Sequence, residues 1–438
     1  MITLDDARPR AASAYLADRA PSTAHPSRLA DIFLHATLYL CIASSFFVFV
    51  QPAPYEFLIG VLIFACLLAR VRIDLKVLPL LFLMILRDVS GIYPFFYVMD
   101  RPRSVQFMMI NFYLGLNVVL FACLFAQDSM RRLSTLRAAY VLAGLIGTIL
   151  GLIGYFKLLP GFHALFVLND RVVAGFKDPN VFGPFLIPPL LWLIQGFVTD
   201  RFRLISVICS MILTTGLILA YSRAAWIHFV ISSALMISLL FINSPDRTSR
   251  KRIIILVFAG LVGIGVLFAF LMSIETVREM LIQRASLQSY DVGTEGSRLN
   301  TQAKAFYNMF DYPLGMGPWE FLRINQLAAH NSILGTTLNL GWIAGFAYTS
   351  VILLTLAIGF RCLMIRTPWQ PFLIATYASF VGVIPVGFII DTDHWRHYYL
   401  VVGIIWGLSI ATVNAMREQR AAEAYRGPPP QAALQPAP

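Results

Sequence analysis

Apolar runs of membrane-spanning length repeat along most of the chain, separated by short polar connections rich in arginine. About twelve such runs are near the 20 residues a helix needs to cross the hydrocarbon. They extend from Leu29 to Val50, Glu56 to Leu68, Val77 to Tyr97, Val105 to Ala126, Leu136 to Tyr155, Asn180 to Val198, Leu204 to Tyr221, Ala224 to Ile242, Ile253 to Ile274, Ser332 to Ile358, Pro371 to Ile390 and Tyr398 to Val413. The pattern predicts an all-α, polytopic integral membrane protein, because a helix satisfies its own backbone in lipid. One segment breaks the pattern. Glu275 to Asn331 is the longest polar stretch between apolar runs, and it ends in Ala328-Ala329-His330-Asn331. Residues 1–28 and 415–438, rich in Ala, Pro and Arg, read as disordered cytoplasmic tails around a membrane domain over 29–414.

Composition agrees with the pattern. A chain that is 58% hydrophobic and 13% charged, with mean hydropathy +0.72, is not an ordinary soluble domain. The net charge of +11 sits in short connections, where it sets membrane orientation, so nucleic acid is not the expected partner. Cys41, Cys66, Cys123 and Cys209 lie inside apolar runs and Cys362 ends one, which encodes neither a disulfide framework nor a zinc site.

With the amino terminus inside, Arg70-Val71-Arg72, Arg131-Arg132, Arg201-Phe202-Arg203, the Arg247 to Arg252 cluster, Arg361 and Arg366 all fall in the cytoplasm. Lys157 to Asn180, Ser222-Arg223, Glu275 to His330 and Asp391 to His397 then converge on the outer face. Within the spans, Gly144, Gly147, Gly151 and Gly154 form a small-residue stripe that lets two helices approach closely. Arg87-Asp88 lies deep in the third run, where an unpaired charge costs about 2.5 to 3.5 kcal/mol. It either forms a mutual ion pair at a helix break before Gly91 and Pro94 or faces a lipid-carrier groove.

On the outer face, Phe176-Lys177-Asp178-Pro179-Asn180 opens the sixth span: Pro179 presets the first turn, Asp178 can cap it and Lys177 stays at the interface. Tyr221-Ser222-Arg223-Ala224 turns between two spans with almost no loop, which aims Arg223 inward at a bound group or lets it snorkel. After Glu295-Gly296-Ser297, Leu299, Ala303, Phe306 and Phe310 share one helical face while Arg298 and Gln302 share an adjacent one. The helix must stop at Asp311-Tyr312-Pro313-Leu314-Gly315-Met316-Gly317-Pro318. His330 reads as a cap of the following helix or as a proton acceptor.

These elements, in this order, resemble the O-antigen ligase and O-antigen polymerase superfamily. Its members carry an Asp-Pro-Asn start to a mid-chain span, a Ser-Arg turn, and a large periplasmic loop with an arginine, a Pro-Leu-x-Gly-x-Gly turn and a final His-Asn. Here they stand as Asp178-Pro179-Asn180, Ser222-Arg223, Arg298, Pro313 to Gly317 and His330-Asn331. The resemblance implies a metal-independent, inverting glycosyltransferase of the GT-C kind in a bacterial inner membrane. Its donor would be a glycan on undecaprenyl pyrophosphate, its acceptor a hydroxyl of a glycan or of lipid A-core, and its chemistry would need no cofactor. Arg223 and Arg298 match the family arginines that hold pyrophosphate, His330 matches the catalytic histidine, and Lys177, Asp178, Asn180 and Asn331 lie in the matched substrate-binding motifs. The residues could do this unaided: guanidiniums give paired donors to phosphate oxygens and stabilise the leaving charge, and an imidazole can take the acceptor's proton.

Asp391-Thr392-Asp393-His394-Trp395-Arg396-His397 mimics a metal site, yet lacks the converging frame that calcium or zinc requires. Acceptor-sugar binding is the expected use, with Trp395 stacking on a pyranose and Asp393 or Arg396 bonding to hydroxyls; a solvated loop is the alternative. Polymerisation of exopolysaccharide or O-antigen repeats is favoured over ligation to lipid A-core. A polytopic lipid or sugar transporter, the reading from another class, would show related halves and interrupted helices at the midplane.

Overall fold

A computed structural model describes residues 27–50, 52–199, 203–285 and 298–426. Most of the predicted amino-terminal tail, Arg201-Phe202, Glu295-Gly296-Ser297 and Gly427 to Pro430 lie outside the described residues. The first half of the chain forms α1 (Arg28–Ala43), α2 (Pro54–Leu68), α3 (Leu78–Ser90), the short α4 (Ile92–Phe95), α5 (Arg101–Phe125), α6 (Ser129–Tyr155), the short α7 (Phe162–Phe166), α8 (Pro179–Phe185), α9 (Ile187–Thr199) and α10 (Leu204–Leu219). The second half forms α11 (Arg223–Asn243), α12 (Arg247–Met272), α13 (Glu275–Ala285), α14 (Arg298–Asp311), α15 (Glu320–Asn325), α16 (Ser332–Leu340), α17 (Trp342–Cys362), α18 (Gln370–Gly387) and α19 (Arg396–Arg426).

Among the described residues eight helices, counting α8 with α9 as one, are long and apolar enough to cross a membrane, and the protein is a multi-pass membrane protein. The other predicted spans are shorter helices: α1 and α10 have 16 residues, α2 has 15 and α3 has 13. At 1.5 Å per residue these reach only about 20 to 24 Å. α1 ends early because the hydroxyls of Ser44 and Ser45 turn back onto the carbonyls of Cys41 and Ile42. At the other end of the chain, α19 continues well past the expected boundary at 415. The sequence from Met416 to Ala424 is made of strong helix formers and contains no breaker.

Among the described residues the fold is helical except for one ribbon that the hydropathy pattern does not show. Val167–Leu168 (β1) and Arg171–Val172 (β2) pair antiparallel, Val167 with Val172 and Leu168 with Arg171. The connecting Asn169 and Asp170 both have positive φ, at 50° and 56°, the backbone that a two-residue hairpin turn demands.

α19 lies along α5, and α11 along α18. The first contact is close because Gly403 and Gly407 recur at a four-residue spacing: side chains there would meet Phe121, Phe125 and the carbonyls of Val118 and Ala122. The Gly144 stripe works differently from the helix-on-helix role expected of it. Gly144 faces long helices, against Leu213, Leu186 and Pro189, whereas Gly147, Gly151 and Gly154 seat Phe46, the hairpin and the short α7.

The predicted span from Ser332 to Ile358 is two helices broken at Gly341, whose φ is 92°. The break is the seat of the Pro313 to Gly317 turn. Trp342 N–H donates to the Pro313 carbonyl (2.9 Å), and Met316 N–H donates to that of Leu338 (2.7 Å). A side chain on Gly341 would strike the Leu314 carbonyl at 2.8 Å, so backbone packs on backbone here.

Arg87 and Asp88 form the mutual ion pair, with Arg87 only 1% exposed. The guanidinium also donates to the Tyr399 hydroxyl and to the Asn111 carbonyl (2.7 Å), binding α3, α5 and α19 at one buried point.

Candidate active site

Four chain segments bring guanidiniums to one small cleft. Arg171 arrives on β2, Arg223 on the first turn of α11, Arg284 near the end of α13 and Arg298 at the start of α14. The cleft has a volume of ≈ 60 Å³, and Asn180, Tyr221 and Ile390 complete its wall. No carboxylate lines it among the described residues. That volume is roughly four to six times the space that one buried water needs, the scale of a phosphate group.

Local structure fixes each arginine. Ser222 Oγ accepts from Ala225 N–H and caps α11, so Arg223 stands at the positive end of a 21-residue helix. Arg171 is held by two bonds, Nε to the Ala220 carbonyl (3.0 Å) and Nη2 to Asn180 Oδ1 (2.8 Å). Asn180 is therefore both a wall of the cleft and the support of Arg171. Burial pushes the Arg171 guanidinium down to about 10; Arg284, Arg298 and Arg223 add to the fall, and Asp178 opposes it. The Nε of Arg284 is buried without a hydrogen-bond partner among the described residues. Such a set of cations is suited to an anion that accepts several donors at once.

Asp178 caps α8 by accepting from Asn180 N–H at 2.8 Å, and it does not line the cleft. Lys177 is exposed beside it, also outside the cleft. Of the Asp-Pro-Asn motif, only Asn180 reaches the cleft wall.

Gln302, one turn after Arg298, joins the cleft to the predicted histidine. Its Nε2 donates to the carbonyls of His330 (3.0 Å) and Phe388 (2.9 Å). Asn331 caps α16, its Oδ1 accepting from the N–H groups of Ile333 and Leu334, both at 3.1 Å. The capping task thus falls to Asn331, which is buried and not placed for substrate, and the His330 imidazole is left out of the cap. The backbone of His330 is left-handed (φ 47°), and its Nδ1 lies 3.5 Å from Asp391 Oδ2. Asp391 directly follows Ile389 and Ile390 of the cleft wall. Tyr221, on the opposite wall, has the same uncommon φ of 47°.

The sugar-binding expectations for the neighbouring segment are corrected. Trp395 is 5% exposed, and its ring stacks on His397 at 5.1 Å, so no face is offered to a pyranose. Asp393 is buried and engaged by His394 Nδ1 (3.2 Å) and Thr336 Oγ1 (3.4 Å). Arg396 pairs with Glu56 and lies over the Tyr55 ring, tying α19 to α2. The segment is the buried entrance to α19, which is why its side chains pack inward. Asp393, His394 and His397 do not form a metal-like cluster. Among the described residues the one cluster with metal-ligand spacing is Asp31, His35 and Asp128. It lies at the other end of the bundle, where Arg131 also pairs with Asp31.

Three site residues escaped the sequence reading. Asp391 was within reach as the outward carboxylate next to the last apolar runs. Arg171 had a local signal in Val-Leu-Asn-Asp-Arg-Val, a hairpin pattern, and Arg284 had none. No protein-family model matches the chain, and no curated protein matches it.

Proposed function

We propose that this chain is an inverting glycosyltransferase of bacterial inner membranes, moving a glycan from undecaprenyl pyrophosphate to an acceptor sugar hydroxyl at the periplasmic face. The observation that carries the reading is the acid-free cleft of Arg171, Arg223, Arg284 and Arg298, joined through Gln302 to the His330–Asp391 pair. In this reading the twelve apolar segments make a GT-C-like membrane domain, the Glu275 to Asn331 segment is periplasmic, and the ends of the chain are cytoplasmic.

The arginines hold the diphosphate of the donor. The acceptor oxygen attacks the anomeric carbon, the bond from that carbon to the diphosphate oxygen breaks, and its electron pair leaves with the diphosphate. Four guanidiniums stabilise that developing charge. The acceptor's proton passes to His330 Nε2, since Nδ1 faces Asp391, and the carboxylate stabilises the imidazolium that forms. Polymerisation of exopolysaccharide or O-antigen repeats is the favoured job, with donor and acceptor both lipid-linked glycans; ligation to lipid A-core is its alternative.

A polytopic lipid or sugar transporter is the reading from another class, and the helix interruptions at Gly91, Leu186 and Gly341 are the feature on which it would rest. Purified protein in nanodiscs, given a labelled undecaprenyl-pyrophosphate glycan, separates the readings. Longer glycan on the carrier with release of undecaprenyl pyrophosphate supports the polymerase, and transfer to added lipid A-core supports the ligase. Movement of intact donor between leaflets with no new glycosidic bond would overturn both.

A further inference from the structure

A large cavity lies at the end of the bundle opposite the arginine cleft. α6 and α18 begin at it and run toward the cleft segments at their other ends. Its volume is ≈ 1280 Å³, and it is lined by the stretch from Ala69 to Lys76, the α5–α6 connection and α19 around Asn414 to Glu418. We propose that this cavity binds a phosphate group, carried either by an acidic lipid headgroup or by a soluble phosphorylated molecule. The site is separate from the cleft and does not depend on the glycosyltransferase reading.

Two independent features point to an anion. The first is the N-terminus of α6, a 27-residue helix that opens on the cavity at Ser129 and Met130. Its N-cap, Asp128, has a left-handed backbone (φ 46°) and makes no side-chain cap hydrogen bond, so no side chain covers the first amides. The second is Arg132, which lines the cavity while only 7% exposed. Its Nη1 donates to the Leu124 carbonyl (2.6 Å), whereas its buried Nε has no hydrogen-bond partner among the described residues. No carboxylate lies at ion-pair distance from this guanidinium among the described residues, so its charge stands in the cavity wall uncompensated, a costly arrangement that a phosphate in the cavity offsets.

The remaining charges agree. Arg70, Arg72 and Arg417 are exposed on the cavity walls. Lys76 is already held by Asp74 (3.2 Å) and Asn414 (2.7 Å). Of the other carboxylates, Asp128 faces His35 at 4.0 Å and Glu418 is exposed at the rim. Four arginines thus stand against Asp128 and Glu418. The cavity is far larger than a phosphate, which leaves room for the organic part of the ligand.

The test uses the full chain in two arms. In phosphatidylcholine nanodiscs it is titrated with inorganic pyrophosphate; in nanodiscs doped with phosphatidylglycerol, retained lipid is counted by native mass spectrometry. The expected result is binding in at least one arm that weakens about tenfold in Arg417→Glu and in Arg132→Gln, and that survives Arg298→Ala in the cleft. Arg417 is on the surface, so its variant leaves the buried Leu124 contact intact and reports on binding even if Arg132→Gln folds poorly. A response in the pyrophosphate arm identifies a soluble ligand class, and one confined to the lipid arm identifies the headgroup. No binding in either arm, or binding equal in wild type and Arg417→Glu, would overturn the site.

Discussion

The carboxylate of Asp391 lies 3.5 Å from the imidazole of His330, and the two segments are joined again by Ser332 Oγ, which donates to the Ile390 carbonyl (3.2 Å). In the proposed reaction this pairing orients the ring and keeps Nε2 for the acceptor's proton. Asp391→Asn should keep the fold and lower turnover by at least about tenfold, and His330→Asn by about 10²- to 10⁴-fold. Combining them should cost little more than His330→Asn alone, because the residues act as a unit. Transfer rates on a lipid-linked glycan check this; a fully active Asp391→Asn would remove the dyad.

Each of the four cleft arginines should matter. Arg223→Ala and Arg298→Ala are expected to lower turnover by about a hundredfold or more, the scale of losing a charge-stabilising donor. Arg171→Ala and Arg284→Ala should also fall, and lysine should rescue only in part because it lacks the planar fork. Wild-type rates for Arg171→Ala and Arg284→Ala at equal expression would reduce the clamp to two arginines.

Asn331 and His330 are neighbours with separable jobs. Asn331→Ala should destabilise the protein by about 1 kcal/mol, whereas Asn331→Asp keeps the acceptor and should be nearly neutral. His330→Asn should leave the unfolding temperature in detergent unchanged while abolishing turnover. The reverse pattern, stability lost at 330 and retained at 331, would contradict the cap seen at α16.

Side-chain exposure also allows the orientation to be tested. Lys304 on α14 and Arg72 before α3 are both exposed and belong to the cleft end and the cavity end respectively. In a cysteine-free background, Lys304→Cys in intact cells should react with an impermeant maleimide, and Arg72→Cys should react only after lysis. Labelling in the opposite sense would invert the topology.

Hydropathy made the class of the protein legible, since a long apolar helix reads the same in sequence and in space. It also located Arg223, Arg298 and His330 on elements that do meet. It could not show which predicted spans would be cut short. The local Ser44 and Ser45 back-bonds and the tertiary seat at Gly341 are each written in one or two residues. The face of Leu299, Phe306 and Phe310 was legible as a stripe but not as an exposed one. In lipid an apolar stripe points outward as readily as inward, and here Phe310 meets Trp342 beside the exposed Ile343 and Phe346. Trp395 illustrates the opposite failure. An aromatic residue among Asp and His looks like a sugar platform until the packing shows its ring covered.

The buried Arg87 also constrains how the protein is made. Its Tyr399 partner is 312 residues further along the chain. While the ribosome is still working, α3 must wait with a guanidinium whose set of partners is incomplete, at a cost of order 2.5 to 3.5 kcal/mol if it sits alone in lipid. Completion of α19 closes that account and draws the first and last parts of the membrane domain together. The last apolar helix is thus the latch of assembly, and a nascent chain halted before it is a substrate for quality control rather than a smaller working protein.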